Sequence, residues 1–298
     1  MKILVFGASG MIGSAMFRVL SAKNEWQVWG TLRADETKRF FSGDQQDKLV
    51  AGVDVEKHDA LVRMFARVNP DVVINCIGLT KHHKEAEDPQ LALPLNALLP
   101  HRMADLCAVA GARLIHVSTD CVFAGTKGNY AEGDAPDAVD VYGKSKHLGE
   151  VDYPHAITLR TSTIGHELQS AYGLLEWFLS QQGSCKGFNR AIFSGLPNTE
   201  FARVVRDVVI PRPELHGLYH VGAEPIGKYE LLKLIAKAYG KQIDIVRDDE
   251  FSIDRSLNSA RFNQATGYKP AAWPALIQAM HAFRQHNTGQ PERGQHVQ

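Results

Sequence analysis

The sequence predicts an α/β protein built on a doubly wound parallel sheet. Short apolar runs alternate with helical patterns as far as Thr163, which is typical of parallel strands joined by right-handed crossover helices. The first of these runs, residues 3–6, leads straight into a glycine-rich turn and then a helix. With 298 residues, 44% of them hydrophobic, the chain is long enough to bury a large core. These observations favour one large or two modest domains around an open sheet.

The first turn is rich in glycine, with the spacing G-x-x-G-x-x-G in the segment KILVFGASGMIG. A buried strand that turns through glycines into a helix presents free backbone N–H groups at the positive end of that helix. Such a turn binds a pyrophosphate, and its spacing is a variant of the G-x-G-x-x-G dinucleotide fingerprint. A tight turn without a ligand is the alternative, but the order of strand, turn and helix favours a pyrophosphate-binding turn. The residues expected to hold the dinucleotide here are Gly7, Ser9, Gly10, Met11, Ile12 and Gly13.

The end of the second strand, residues 26–32, indicates which coenzyme binds. About twenty positions beyond the glycines, an acidic residue binds the ribose hydroxyls of NAD, whereas an arginine accommodates the 2′-phosphate of NADP. Arg33 occupies this position and favours NADP, with NAD as the alternative, although an exposed arginine at a strand end would look the same. A third strand precedes Asp54 and Val55, which are placed to meet the adenine, and Asp54 could equally cap a helix.

Two further strands end in residues suited to line a crevice. In an open parallel sheet, ligands bind outside the carboxyl ends of the strands. The fourth strand, residues 71–76, opens into a small loop, and the fifth, residues 113–117, ends in two hydroxyl residues. We therefore expect one crevice beside the dinucleotide, lined by Cys76, Ile77, Gly78, Thr80, Ser118 and Thr119.

A tyrosine and a lysine follow on a predicted helix. Tyr142 and Lys146 are one helical turn apart and share a face, so the ammonium can stabilise a phenolate and lower the pKa of the phenol. Such a pair can move a proton to or from a carbonyl or an alcohol. Taken alone, Y-x-x-x-K is a weak signal, because an ordinary surface helix produces this spacing by chance. The glycine turn and the converging strand ends strengthen it here.

The order and spacing of several segments resemble one enzyme family. The segments are GASGMIG, VINCIGLT, EDPQLALPLNALLP, STDCVFAG, YGKSKHLGE, LRTS and SLNSARFNQATGY. Over residues 1–285 the chain resembles the extended short-chain dehydrogenase/reductases, and within them the dTDP-4-dehydrorhamnose reductase branch. The resemblance implies a catalytic triad of Thr119, Tyr142 and Lys146. Thr119 and Tyr142 would hydrogen-bond the carbonyl oxygen of the substrate and Lys146 the nicotinamide ribose, while Ser118 is the alternative hydroxyl.

The same resemblance assigns further residues. Thr161, Ser162 and Thr163, after a strand that ends at Arg160, would contact the nicotinamide amide. Asn96 matches an asparagine near the active site, although a capping or structural role fits it equally well. Arg255 is the candidate for the diphosphate of a nucleotide-sugar, with a plain surface arginine as the alternative. The residues expected to contact the substrate are Thr80, His82, Thr119, Asn198 and Arg255.

The adjacent His82 and His83 invite a metal interpretation. Neighbouring residues point to different sides of a helix or strand, so they do not chelate one ion as an i, i+4 pair does. The other histidines lack ligand spacing, and we expect no metal site. Around these two histidines the chain departs from the rhamnose reductases, which leaves the exact sugar open.

Beyond Thr163 the pattern indicates a small, discontinuous C-terminal substrate lobe. Residues 1–165 are expected to form a Rossmann-type domain that binds NAD(P), to which 201–222 return, and residues 166–288 mainly a substrate-binding lobe. Residues 289–298 are polar and lack periodicity, which predicts a loose tail. Within the lobe we expect helices over 173–182, 201–210 and 229–240, strands over 217–222 and 242–247, and a loose segment over 188–200.

The composition indicates which binding partners and which cellular compartment to expect. The formal net charge is 0, so we expect no binding to nucleic acid or to an anionic membrane. The four cysteines have no paired or C-x-x-C spacing, which fits a reducing, cytoplasmic protein. The N-terminus lacks the pattern of a signal peptide, and no apolar stretch reaches the ~18 residues of a membrane span. The oligomeric state is not fixed by the sequence, and a homodimer is one expectation.

The expected activity is NADPH-dependent reduction of the C4 keto group of a 4-keto-6-deoxy nucleotide-sugar, in polysaccharide biosynthesis. A nucleotide-sugar epimerase that keeps NAD tightly bound is one alternative. A dehydratase fits less well, because Asp120 and Cys121 follow Thr119 where dehydratases place an acidic pair. The other alternative is a non-catalytic, dinucleotide-binding regulatory subunit, against which the presence of both Tyr142 and Lys146 argues.

Overall fold

The computed structural model describes residues 1–81 and 84–288. The strands are β1 (Lys2–Phe6), β2 (Gln27–Thr31), β3 (Leu49–Val50), β4 (Val72–Asn75), β5 (Arg113–Ser118), β6 (Ala156–Arg160), β7 (Thr163–Ile164), β8 (Ser184–Phe193), β9 (Leu196–Pro197), β10 (Gly217–His220), β11 (Ile226–Gly227) and β12 (Asp244–Asp254). The helices are α1 (Met11–Ser21), α2 (Gly43–Gln46), α3 (His58–Val68), α4 (Pro89–Ala92), α5 (Leu99–Ala110), α6 (Val141–Leu148), α7 (Leu174–Ser180), α8 (Asn198–Val204), α9 (Lys228–Ala238), α10 (Ala260–Thr266) and α11 (Trp273–Thr288). Segments of π-helix at Leu93–Leu98 and Val205–Val209 join α4 to α5 and extend α8.

Seven of these strands form one parallel sheet, in the order β10-β6-β5-β4-β1-β2-β3. β1 lies between β2 and β4, with Ile3 paired to Val28 on one side and to Val72 on the other. The chain therefore winds outward in both directions from β1, and the loops that leave β1 and β4 diverge to open a crevice. The prediction of a doubly wound parallel sheet is confirmed.

Helices cover both faces of this sheet. On one face, Val5 of β1 packs in a core that includes Phe17 of α1 and Phe201 of α8. On the other face, Phe6 packs in a second core that includes Met103 of α5. Because parallel strands of this kind are buried on both sides, their sequences are continuously apolar rather than alternating. This explains why the strands around the crevice were recognisable as apolar runs.

A three-stranded sheet of order β11-β8-β12 forms much of the second lobe. The predicted loose segment over 188–200 is wrong in its first half, because β8 continues to Phe193 and pairs in parallel with β12. β12 also runs beyond its predicted end at residue 247, with an irregularity between Asp248 and Ser252. Both strands are long because each completes the hydrogen bonds of the other, and that pairing depends on tertiary context rather than on local sequence.

The chain between residues 198 and 220 lies beside the main sheet. α8 begins at Asn198 and packs against α1, and β10 pairs with β6 at the edge of the sheet. The domain boundary at residue 165 stays a prediction, and the predicted tail over 289–298 falls outside the described residues. In the described ranges, no helix is long and apolar enough to cross a membrane. The four cysteines are unpaired, as their spacing suggested.

Candidate active site

The glycine turn between β1 and α1 is closely folded on itself. Gly7 has a positive φ of 84°, which favours glycine, and its carbonyl accepts the N–H of Gly10 at 3.1 Å. A Cβ on Gly13 would lie only 2.0 Å from that carbonyl oxygen, so no side chain fits there. α1 begins at Met11 without a side-chain cap. The turn thus leaves backbone donors at a helix N-terminus, and it fits the phosphates of a dinucleotide.

The residues predicted for the adenosine end differ in their surroundings. Arg33 is exposed just beyond β2, where a 2′-phosphate can reach it. The Oδ1 atom of Asp54 accepts the N–H of Glu56 at 3.2 Å, and its Oδ2 lies 3.5 Å from Lys57 Nζ. The alternative that Asp54 caps a helix is wrong, since α3 begins after Lys57. Val55 packs its side chain in the core, which leaves only its backbone for a cofactor.

A pocket opens at the carboxyl ends of β4, β5 and β6. Of the residues predicted to bind cofactor or substrate, those that line it are Met11, Ile12, Cys76, Ile77, Gly78, Thr80, Ser118, Thr119, Tyr142, Lys146, Thr161, Ser162 and Thr163. The lining residues that the sequence prediction missed are Lys81, Val117, Asp120 and Cys121. Lys81, Val117 and Asp120 are sequence neighbours of predicted residues, and Cys121 is two positions from Thr119, so proximity in the sequence was the available signal.

Two hydroxyl groups meet in this pocket. Tyr142 OH donates to Thr119 Oγ1 at 3.2 Å. By contrast, Ser118 Oγ donates to Glu150 Oε1 at 2.8 Å and is buried. α6 holds Tyr142 in place, because Asp140 caps its first turn by accepting the N–H of Gly143. The geometry favours Thr119 over Ser118 as the partner of Tyr142.

Lys146 lies one turn further along α6 and is almost fully buried. Its Nζ donates to the carbonyl of Val117 at 2.9 Å. Burial lowers the pKa of Lys146 to about 8, although the charge of Glu150 acts in the opposite direction. Below about pH 8 the side chain therefore keeps its proton and its charge.

The predicted lowering of the Tyr142 pKa is wrong. Burial raises the pKa of this phenol, and the neighbouring Cys121 and Asp120 raise it further, while the hydrogen bond with Thr119 lowers it less. Lys146 does not reverse this, because its ammonium is turned to a backbone carbonyl. Tyr142 is consequently a protonated phenol at neutral pH, which suits a proton donor.

Glu150 was not among the predicted residues, but its carboxylate holds together two strand ends beside the pocket. Besides Ser118 Oγ, its carboxylate accepts two hydrogen bonds of 2.7 Å from Arg160, which is only 2% exposed. This pairing joins the end of β5 to the end of β6. A glutamate four residues after Lys146, in the segment YGKSKHLGE, was the signal that could have revealed it.

Asn96 has a structural role, one of the two that its sequence left open. Its side chain is fully buried and bonds both backbone groups of Leu79, accepting at 2.8 Å and donating at 3.0 Å. It also donates to Ser145 Oγ at 3.1 Å. Asn96 thereby fixes the loop after β4 against α6, which carries Tyr142 and Lys146.

The predicted substrate residues fall into three groups. Thr80 lines the pocket, and Arg255 lies at its edge, where Nε donates to the carbonyl of Phe123 at 2.7 Å. Asn198 was expected to contact the substrate; it is buried, does not line the pocket and donates to the carbonyl of Met11 at 2.9 Å, while its Oδ1 has no hydrogen-bond partner. It ties α8 to the first turn of α1. Its contact with the substrate stays a prediction. His82 lies outside the described residues.

Among the described residues, no group of His, Cys, Asp and Glu side chains could hold a metal ion.

Comparison with known proteins gives a consistent picture. A family model described as the RmlD substrate binding domain matches residues 1–282. The chain is 28% identical to the methionine adenosyltransferase 2 subunit beta of Xenopus tropicalis, over 80% of this chain and 72% of that protein. It is also 28% identical to the dTDP-4-dehydrorhamnose reductase of Salmonella typhimurium, over 75% of this chain and 73% of the reductase. The structure of dTDP-4-dehydrorhamnose reductase from Bacillus anthracis, in complex with NADP, has the same fold, with a TM-score of 0.77 at 18% identity, covering 95% of this chain and 98% of that one.

Proposed function

The chain belongs to the RmlD substrate binding domain family, and on this premise we propose that it is an NADPH-dependent reductase of a 4-keto-6-deoxy nucleotide-sugar. The observation that carries the proposal is the pair of hydroxyl groups of Thr119 and Tyr142, 3.2 Å apart in the pocket that Lys146 also lines. The reductase of Salmonella typhimurium, whose name describes this activity, supports the choice of substrate. The product would serve polysaccharide biosynthesis.

The side chains of the pocket can perform the acid–base part of such a reduction. Thr119 and Tyr142 are close enough together to hydrogen-bond one carbonyl oxygen and polarise it. The protonated phenol of Tyr142 can then donate its proton to that oxygen as the alcohol forms. Lys146 lines the same pocket, keeps its proton below about pH 8 and donates to the carbonyl of Val117. A bound nicotinamide would supply the hydride.

The preferred coenzyme in this proposal is NADP, with NAD as the alternative. The glycine turn fits a dinucleotide because Gly7 and Gly13 approach each other too closely for any side chain. Arg33 is exposed at the end of β2, as a residue that meets a 2′-phosphate must be. The relative from Bacillus anthracis, which was solved with NADP, supports this preference.

A regulatory role without catalysis is the second candidate. It is favoured by the similarity to a methionine adenosyltransferase 2 subunit beta, a protein named as a subunit of another enzyme. The intact pair of Thr119 and Tyr142 beside a buried lysine favours the reductase. A nucleotide-sugar epimerase with tightly bound NAD is the remaining alternative, and it would not consume added NADPH.

The proposal is tested by following the absorbance of the reduced nicotinamide. We expect the protein to oxidise NADPH, faster than NADH, when dTDP-4-keto-6-deoxyglucose or its UDP or GDP counterpart is added. A protein that binds NADPH but oxidises it with none of these sugars would contradict the proposal and favour the regulatory role. NAD released on denaturing the purified protein would instead favour the epimerase.

A further inference from the structure

Two cationic side chains contact the same sulfur at the edge of the candidate active site, and the charge of a third, Lys228, interacts with both. Lys81, in the loop after β4, has its Nζ 3.4 Å from Cys121 Sγ. Arg255, directly after β12, has its Nη1 3.8 Å from the same sulfur. Lys228, the first residue of α9, is half-buried and interacts with the charges of both. Lys81, Lys228 and Arg255 together form the basic cluster.

The basic cluster carries more positive charge than its surroundings neutralise. The carboxylate that interacts with it is Asp120, whose pKa is raised by burial although Lys81 and Arg255 act to lower it. Among the described residues, no carboxylate forms a direct ion pair with any of the three cations. Burial lowers the pKa of Lys228, and the charge of Lys81 is the second cause of this lowering. Keeping Lys228 charged beside the other cations is therefore electrostatically unfavourable.

The basic cluster adjoins the reacting groups. Lys81, Asp120 and Cys121 line the same pocket as Thr119 and Tyr142. Asp120 and Cys121 also follow Thr119 directly in the chain. A ligand whose carbonyl reaches the two hydroxyl groups can therefore place another of its groups against the cations. Lys81 is exposed, whereas Lys228 and Arg255 are half-buried. Cations without a direct ion pair attract an anion, because an oxyanion offers them charge-assisted hydrogen bonds.

We propose that Lys81, Lys228 and Arg255 form an oxyanion subsite, which binds an acidic group of the nucleotide-sugar while its keto group contacts Thr119 and Tyr142. This inference rests on the proposed function and adds Lys81 and Lys228 to the residues that read the substrate. The arginine offers a planar pair of donors and the two lysines offer point charges, a combination that suits phosphate and carboxylate oxygens. Two groups of a nucleotide-sugar have this chemistry: the β-phosphate and a carboxylate on the sugar.

The first experiment measures binding of inorganic pyrophosphate to the full-length protein by calorimetry, with the glycine turn saturated by NADPH. The test variant is Lys228→Met, which removes the charge and keeps most of the side-chain length. The matched control is Lys233→Met on the same helix, where the half-exposed lysine pairs with Glu230 instead. We expect Lys228→Met to weaken binding about tenfold and to flatten its salt dependence, whereas Lys233→Met changes neither. Equal affinity in the wild type and in Lys228→Met overturns the proposal.

Two matched pairs of ligands identify the acidic group. UDP against UMP isolates the β-phosphate, and UDP-glucuronate against UDP-glucose isolates a carboxylate on the sugar. If the subsite binds phosphate, the wild type prefers UDP over UMP and Lys228→Met loses that preference. If it binds the carboxylate, the same loss occurs for the glucuronate pair. Either loss supports the subsite, and retention of both preferences in Lys228→Met overturns it.

The fate of the subsite is separable from that of the proposed reductase. NADPH oxidation with an unchanged ligand affinity in Lys228→Met would uphold the reductase and remove the subsite. Pyrophosphate binding that depends on Lys228, in a protein that oxidises NADPH with no sugar, would uphold an anion site and remove the reductase. Wild-type NADPH affinity in both variants shows that the substitutions leave the fold intact.

Discussion

Replacing Tyr142 with phenylalanine is expected to lower kcat by about 10²–10⁴-fold and to leave the affinity for NADPH nearly unchanged. The substitution removes only the oxygen that donates to Thr119 Oγ1 at 3.2 Å. Burial raises the pKa of Tyr142, so at neutral pH the phenol holds the proton that the product alcohol needs. The phenylalanine ring keeps the packing of the tyrosine ring, and the loss should therefore be chemical. Single-turnover oxidation of NADPH, with the sugar that the wild type reduces, measures it.

Tyr153→Phe is the matched control for this prediction. Tyr153 OH is hydrogen-bonded with His101 Nδ1 at 3.1 Å, and the residue is not part of the pocket lining. Losing that hydroxyl should change kcat by no more than about twofold, since it is not placed to act on a substrate. An unchanged kcat in Tyr142→Phe would show that another group supplies the proton. A comparable loss in both variants would mean that removing a hydroxyl acts through the fold.

Gly13→Ala is expected to have the largest effect on both stability and coenzyme binding. The added Cβ would lie 2.0 Å from the carbonyl oxygen of Gly7 and 2.7 Å from its carbonyl carbon. Backbone atoms cannot move aside as a flexible side chain can, so the first turn of α1 must separate from the turn after β1. Overpacking typically costs ~1–3 kcal/mol, and a clash with backbone belongs at the upper end. We expect a lower midpoint of urea unfolding and an NADPH affinity reduced by about 100-fold or more.

Alanine substitutions at two other glycines serve as controls for this prediction. Gly43→Ala adds a Cβ with nothing within 4 Å, in a helix, and should leave the midpoint unchanged or raise it. Gly10→Ala adds a Cβ 3.5 Å from the Gly7 carbonyl oxygen, an ordinary contact, and should fold normally. If Gly13→Ala unfolded at the wild-type urea concentration and bound NADPH equally well, the turn would be looser than the geometry indicates.

Much of the site could be predicted because its residues follow apolar runs. Parallel strands buried on both faces are readable as continuous apolar segments, and whatever follows them reaches the carboxyl edge of the sheet. Ser118 and Thr119 follow such a run, and the resemblance to the reductase family implies that Thr119 acts with Tyr142 and Lys146. Likewise, the spacing of Gly7, Gly10 and Gly13 predicts that the backbone of the turn lies close to the helix.

Other features depend on contacts between residues far apart in the chain, which local patterns do not contain. β8 needs β12 as its partner, about 60 residues later, and its polar residues made it resemble a loop. Asn198 donates to the carbonyl of Met11, a contact across 187 positions. The basic cluster joins three separate elements. The pKa of Tyr142 could not be predicted either, because the degree of burial decides it.

The central claim is that this protein transfers hydride from NADPH to the keto carbon of a nucleotide-sugar, with the proton coming from Tyr142. Mass spectrometry of the sugar product, after reaction with NADPH that carries deuterium at the transferring position, tests it most directly. We predict one deuterium at the reduced carbon with the wild-type protein, and strongly slowed incorporation with Tyr142→Phe. A nucleotide-sugar recovered without deuterium, alongside NADPH that is bound but not oxidised, would contradict the account and favour a regulatory subunit.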